Sequence, residues 1–233
     1  MVGSVPLPNT ETVLRQCSAA MPGRLKRIPD GETGSRNYFT MFQAHVFAAS
    51  PTLLTLFVNN APVKSGSFTP EEVDAGIEKL KQSGPLETGY DDAAIESYGV
   101  FKKMREAGVI SKEMRFQVGI PTTPSVIMPF IQAPFRAKTE PLYEEALFRA
   151  IRKVQDTIPH EDLAIQIDVA LDTAFWEGSE IFKPWFGDGD HEKTKHYMVD
   201  YIVRMIGQID QDVEVGLHNC YGRLSPLRLM VAQ

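Results

Sequence analysis

The chain has 233 residues, 43% of them apolar and 23% charged, the balance of a folded globular protein rather than a disordered one. A formal charge of −6 offers no general attraction to phosphate backbones or anionic lipid, which sets nucleic acids and membranes aside and leaves small-molecule substrates or other proteins as partners. Two distant cysteines, Cys17 and Cys220, make no disulfide framework, and the sequence shows neither a leader pattern nor a run of about 20 apolar residues, so a reducing, cytoplasmic setting is expected.

Residues 2–5 form a short apolar run before Pro6 and Pro8 and are expected to be a strand. Residues 10–21 carry Val13, Leu14, Cys17 and Met21 at helical spacing. Residues 25–29 then lead into Asp30-Gly31-Glu32-Thr33-Gly34, a polar turn of the kind that presents side chains at the end of a strand. Further on, Thr69, Pro70 and Glu72 combine a capping hydroxyl, a proline at the first helical position and a glutamate at the third, so a helix is expected as far as Gln82. Residues 91–107 read as a second helix stopped by Gly108, and residues 114–120 as a strand closing on Pro121 and Pro124.

A helix over 140–157 is followed by the nearly continuous apolar run 163–170, the signature of a strand covered on both faces. Asp188 and Asp190 lack the further spaced oxygens of a calcium loop, and Asp190 reads as a helix cap. Behind it Met198, Tyr201, Ile202, Met205, Ile206 and Ile209 form a helical stripe. Trp176, Trp185 and Phe186 read as core rather than as the walls of a flat-ring pocket. The last strand runs into His218 and Cys220, two residues apart and both suited to a metal.

Strands and helices therefore alternate, which predicts a parallel sheet with right-handed crossovers. Polar motifs fall at strand C-termini, around Ser4, Glu32, Thr122, Asp168 and His218. That is where open α/β sheets and (β/α)8 barrels carry their sites. Neither a Gly-x-Gly-x-x-Gly nor a Walker A sequence is present, which counts against dinucleotide and P-loop chemistry.

Five motifs in this order resemble the catalytic barrel of cobalamin-independent methionine synthase and its shorter relatives in the uroporphyrinogen decarboxylase superfamily. Gly3-Ser4-Val5-Pro6 is similar to the family's opening Gly-Ser-Phe-Pro, and Asp30-Gly31-Glu32 with Arg36 to its His-Gly-Glu with a downstream Arg. Gly119-Ile120-Pro121-Thr122 resembles a Gly-Pro-x-Thr strand end, Ile165-Gln166-Ile167-Asp168 the start of Ile-Gln-Ile-Asp-Glu-Pro, and His218-Asn219-Cys220-Tyr221 the family's His-x-Cys-Tyr. Departures are Asp30 in place of His, Arg36 one position late and Val169 in place of Glu.

The resemblance implies a TIM-type (β/α)8 barrel over residues 1–222, incomplete, with five or six of its βα units. It also implies zinc-assisted transfer of a methyl group from a folate donor to a thiol such as homocysteine. Gly3, Ser4, Glu32 and Asp168 would hold the substrate amino acid, and His218 and Cys220 would be two of the zinc ligands. Residues 223–233 do not resemble the family and contain no further ligand, so a truncated chain that self-associates through the unclosed barrel is expected. Two other readings stay open: lyase or decarboxylase chemistry on the same scaffold, and a non-catalytic remnant.

Overall fold

The computed structural model describes residues 1–37, 40–58, 61–62 and 65–220. Helix α1 (Thr10–Ala20) is capped by Asn9, whose side chain accepts from the Thr12 N–H at 2.9 Å. It leads to the short strand β1 (Arg27–Pro29) and a run of 3-10 turns. A small antiparallel hairpin, β2 (Phe57–Val58) with β3 (Ala61–Pro62), stands apart from the main sheet. Helix α2 (Pro70–Gln82) carries the expected capping box: the Thr69 hydroxyl accepts from the Glu72 N–H and the Glu72 carboxylate from the Thr69 N–H.

Helix α3 (Tyr90–Glu106) is followed by Gly108 in the left-handed conformation, and strand β4 (Arg115–Pro121) comes next. A short helix α4 (Pro124–Phe130) precedes α5 (Arg136–Thr157), which begins four residues before the expected 140 and holds Pro141 inside it. Strand β5 (Leu163–Val169), helices α6 (Leu171–Trp176) and α7 (His191–Ile206), and strand β6 (Glu214–Asn219) complete the order. Asp190 caps α7 by accepting from the Lys193 N–H at 3.0 Å, as its place in the sequence predicts.

The chain is thus an α/β protein built on a four-stranded parallel sheet in the order β1-β4-β5-β6. Four strands in the parallel sheet of the described residues are fewer than the five or six units expected. The difference begins at the N-terminus, where residues 2–5 form no strand. Only the Val5 N–H reaches a neighbouring backbone, the Gly31 carbonyl, and Pro6 and Pro8 remove the donors a ladder would need next. Among the described residues no helix is long and apolar enough to cross a membrane. Tyr221, Gly222 and residues 223–233 lie outside the described residues.

Because successive side chains on a strand alternate, each face of the sheet has its own character. Phe116, Val118, Ile120, Leu163, Ile165, Ile167 and Val169 point to one face and are buried in the main apolar core with α3 and α5 residues such as Phe101 and Leu147. The opposite face is polar and layered by the register, which sets Gln117 beside Ala164, Gly119 beside Gln166 beside Gly216, and Pro121 beside Asp168 beside His218. At its N-terminal end Arg27, Arg115 and Lys26 gather around Glu214, and Gly216 leaves room for Arg27, since a methyl there would lie 2.8 Å from Nη2. On edge strand β6 the outward residues Val215 and Leu217 are exposed, as are Val199 and Val203 on α7.

Candidate functional site

The C-terminal layer of the polar face gathers most of the residues that the motifs single out. Immediately after β1, Asp30 is buried and organises the turn: its Oδ1 accepts from the Glu32 N–H at 2.9 Å, while Oδ2 accepts from Arg36 and from the Ser97 hydroxyl at 2.8 Å. Gly31 has φ 85°, and a side chain there would lie 2.6 Å from Val13, so only glycine fits. Glu32 itself has φ 51°, a left-handed conformation that costs a non-glycine residue on the order of 1 kcal/mol. The Asp30 acceptor and the Val5–Gly31 bond hold it there, and its carboxylate is turned toward the sheet.

On the sheet, Gly119 shows where that carboxylate goes. A methyl group at this position would lie 3.3 Å from Glu32 Oε1 and 3.1 Å from Asp168 Oδ2. Two carboxylates from different loops and strands therefore share the space above one glycine. Gly3 closes the near side, where a methyl would lie 2.9 Å from Glu32 Oε1, and the Ser4 hydroxyl donates to Glu32. Asp168 Oδ1 accepts from Gln166 at 2.8 Å and is 3.0 Å from His218 Nδ1.

Burial is the main reason both carboxyls are held above their ordinary range. For Glu32 the Ser4 hydrogen bond works against it, and the neighbouring Asp168 and Asp30 add to it. For Asp168 the hydrogen bonds from Gln166 and His218 oppose burial. Among the described residues no Lys or Arg is within ion-pair distance of either carboxylate, Arg36 being committed to Asp30. Tyr90, buried against the same space, has its phenol pushed well up by burial and then by Glu32 and Asp168, so it stays neutral.

Gly3, Glu32, Asp168, Gln117, Tyr90 and Phe42 are among the residues lining a cavity of about 20 Å³ between these groups. That is room for a single water-sized group, such as one ammonium head. Gln117 was not a sequence candidate. Its one signal was a polar residue at an inward-facing position in an otherwise apolar strand.

His218 and Cys220 stand two apart on β6, and the Cys220 N–H still bonds the Val169 carbonyl at 2.8 Å, so strand alternation carries both side chains to the polar face. The Asp168 contact at Nδ1 leaves His218 Nε2 without a protein partner among the described residues, the arrangement that metal-binding histidines use. Among the described residues no group of three or more His, Cys, Asp and Glu side chains is placed to hold a metal ion. The two donors are half of a tetrahedral zinc site.

Thr122 is at the expected strand end but turns elsewhere. Its hydroxyl donates at 2.6 Å to Asp172 Oδ2, which also accepts from the Ala170 N–H at 3.2 Å. Asp172 is fully buried, its Oδ1 has no partner among the described residues, and burial pushes its carboxyl up to about 6. The next residue, Thr173, donates to both the Ala170 and Cys220 carbonyls. Sequence inspection gave no reason to single out Asp172, which looks like any residue of a helix's first turn.

Of the aromatic residues, Phe186 stacks on Tyr197 at 4.4 Å and Trp185 donates to Glu140, both parts of the core, while Trp176 is 43% exposed under Lys195. No protein-family model matches the sequence, and comparison with curated proteins and with solved structures gives no match.

Proposed function

We propose that the chain is a methionine-synthase-like methyltransferase of TIM-barrel type, acting on a thiol-bearing amino acid such as homocysteine with a folate methyl donor. The observation that carries the reading is the convergence of Glu32 and Asp168 above Gly119 with no Lys or Arg of the described chain between them. Two desolvated carboxylates with no Lys or Arg partner among the described residues are costly, and a substrate ammonium relieves that cost. The monotonic strand order, with no switch point, supports a singly wound barrel over a doubly wound sheet.

In this reading Glu32 and Asp168 bind the amino group, Gly3 and Ser4 form the adjoining wall that meets the carboxylate end, and Gln166 fixes the Asp168 rotamer. Zinc held by His218, Cys220 and further donors would lower the pKa of the substrate thiol so that it reacts as a thiolate. Since the described residues supply only two such donors, no step of the mechanism is built on the metal. The water-sized cavity admits an ammonium head, and the rest of the substrate extends toward His218 along the rim.

The test is single-turnover incubation of the full chain with zinc, L-homocysteine and a methylated folate, with methionine as the readout. Product that disappears in Cys220→Ala and Glu32→Gln supports the proposal. Absence of product at every pH from 6 to 8, with metal analysis showing zinc bound, ends it.

A second reading, lyase or decarboxylase chemistry without metal, is favoured by the same buried acids. Burial raises the Asp168 carboxyl above its ordinary range, the direction of shift that general-acid carboxyls show. Its mark is turnover that survives Cys220→Ala and is lost in Asp168→Asn.

A further inference from the structure

The polar groups around the acidic cavity are unbalanced in a way that points to one more ligand contact. Gln117 is 1% exposed and stands one strand position below Gly119 on the same face. Its Nε2 is surrounded by oxygens, the Val2 carbonyl at 2.5 Å, Gln166 Oε1 at 3.1 Å and the Met1 carbonyl at 3.4 Å. That environment fixes which end of the amide is nitrogen. Its Oε1 is buried with no partner among the described residues, although Gln117 lines the cavity that Glu32 and Asp168 share. A buried acceptor left unpaired costs on the order of 1–3 kcal/mol, so such atoms call for an occupant.

Glu32 Oε1 and Asp168 Oδ2 share the space above Gly119, and Gln117, whose Oε1 has no partner among the described residues, lines the same cavity, so three acceptor-bearing side chains border it. Besides the Tyr90 hydroxyl, which lines the same cavity, the nearby donors are committed elsewhere. Arg36 is bound to Asp30, Gln166 to Asp168 and Val2, and Ser4 to Glu32. A guest that satisfies three acceptors at once and carries positive charge in a volume of about 20 Å³ is a primary ammonium, with three N–H bonds diverging from one atom. Divalent cations fit less well, because Phe42, Ala94 and Val118 supply apolar lining where such an ion keeps its waters.

We infer that Gln117 Oε1 is the third acceptor for the ligand ammonium and makes the site selective for primary amines over N-methylated ones. This rests on the proposed role of Glu32 and Asp168 in holding an amino group, but not on methyl transfer. Binding through Glu32 and Asp168 alone leaves one N–H position open, and a methyl group is tolerated there. With Gln117 present, the methylated amine loses a hydrogen bond to a charged donor and brings its methyl against a buried oxygen. Loss of one such bond corresponds to about a tenfold change in affinity.

The experiment is calorimetric titration of the full chain with L-methionine, N-methyl-L-methionine and butylamine, with no methyl donor present. Wild-type protein is expected to prefer L-methionine over its N-methyl derivative by about tenfold. Gln117→Met removes the acceptor and should bring that ratio close to one. Gln117→Glu also loses the Nε2 contacts to Val2 and Gln166 but keeps an oxygen, and should preserve the preference, which separates acceptor loss from loosening of the N-terminal segment.

A ratio unchanged in Gln117→Met overturns the inference, as does a wild-type chain that binds neither L-methionine nor butylamine. Tighter binding of Mg²⁺ or Ca²⁺ than of the amines, weakened by Gln117→Met, reassigns the cavity to a metal and overturns it too. Should the amines bind with the expected selectivity while no methyl group is ever transferred, the inference stands and only the proposed activity falls.

Discussion

Asp168 and His218 face each other in register across β5 and β6, joined at 3.0 Å through Nδ1, so one carboxylate both orients the imidazole and faces the acidic cavity. Asp168→Asn keeps the shape and removes the charge. Binding of L-methionine should weaken by about tenfold or more, the scale of a lost charged hydrogen bond. The denaturation midpoint should not fall, since burial already opposes ionisation of Asp168. Isothermal titration beside a thermal melt reads both.

Gly119→Ala tests the shared space directly. The new methyl would meet Asp168 Oδ2 at 3.1 Å and Glu32 Oε1 at 3.3 Å, tight contacts that push the two carboxylates apart. Gly119 is not at a positive φ, so the backbone accepts alanine. Ligand binding is expected to be lost, while a urea titration shows stability within about 1 kcal/mol of wild type.

Asp172 predicts a pH dependence of folding. Its native value of about 6 exceeds the ordinary aspartate value of about 4, so between those limits the folded chain holds a proton that the unfolded chain has released. Stability contributed by this group is therefore present at low pH and lost as pH rises through about 4 to 6. Thr122, Ser125 and the Ala170 N–H surround it, and no charged group adds to the shift. The difference in unfolding free energy between wild type and Asp172→Asn should move in favour of wild type on going from pH 7 to pH 5. A difference that is flat over this range refutes the assignment.

Thr69→Ala removes half of the capping box on α2. The expected loss is about 1 kcal/mol of unfolding free energy, with no change in ligand affinity, because the helix start is remote from the cavity lining. Chemical denaturation with and without L-methionine distinguishes the two effects.

What was legible in the sequence was what local chemistry dictates. Thr69, Pro70 and Glu72 mark a helix start in any context, and the apolar run from Leu163 allows little but a buried strand. The strand leading into His218 and Cys220 was readable from its alternation, and Glu32 and Asp168 stood out both at the ends of strands and in motifs that resemble the family's. Gly34–Arg36, Met41–Phe47 and Pro51–Leu53 fold as 3-10 turns that carry no periodicity to read. Residues 2–5 have strand-like composition, but their partners are side-chain amides on β4 and β5 rather than a neighbouring ladder. Gln117 and Asp172 escaped notice because an unpaired oxygen is a property of the packed surroundings, not of the residue type.

The Val2 carbonyl receives both interior glutamine amides, and Met1 packs against the apolar core beside them. Any polypeptide attached ahead of Met1 would begin next to Gln117, a residue of the cavity wall. A purification handle placed at that end is expected to disturb the hold of the Met1 and Val2 carbonyls on that wall, so binding measured on such a fusion would report the handle as much as the protein.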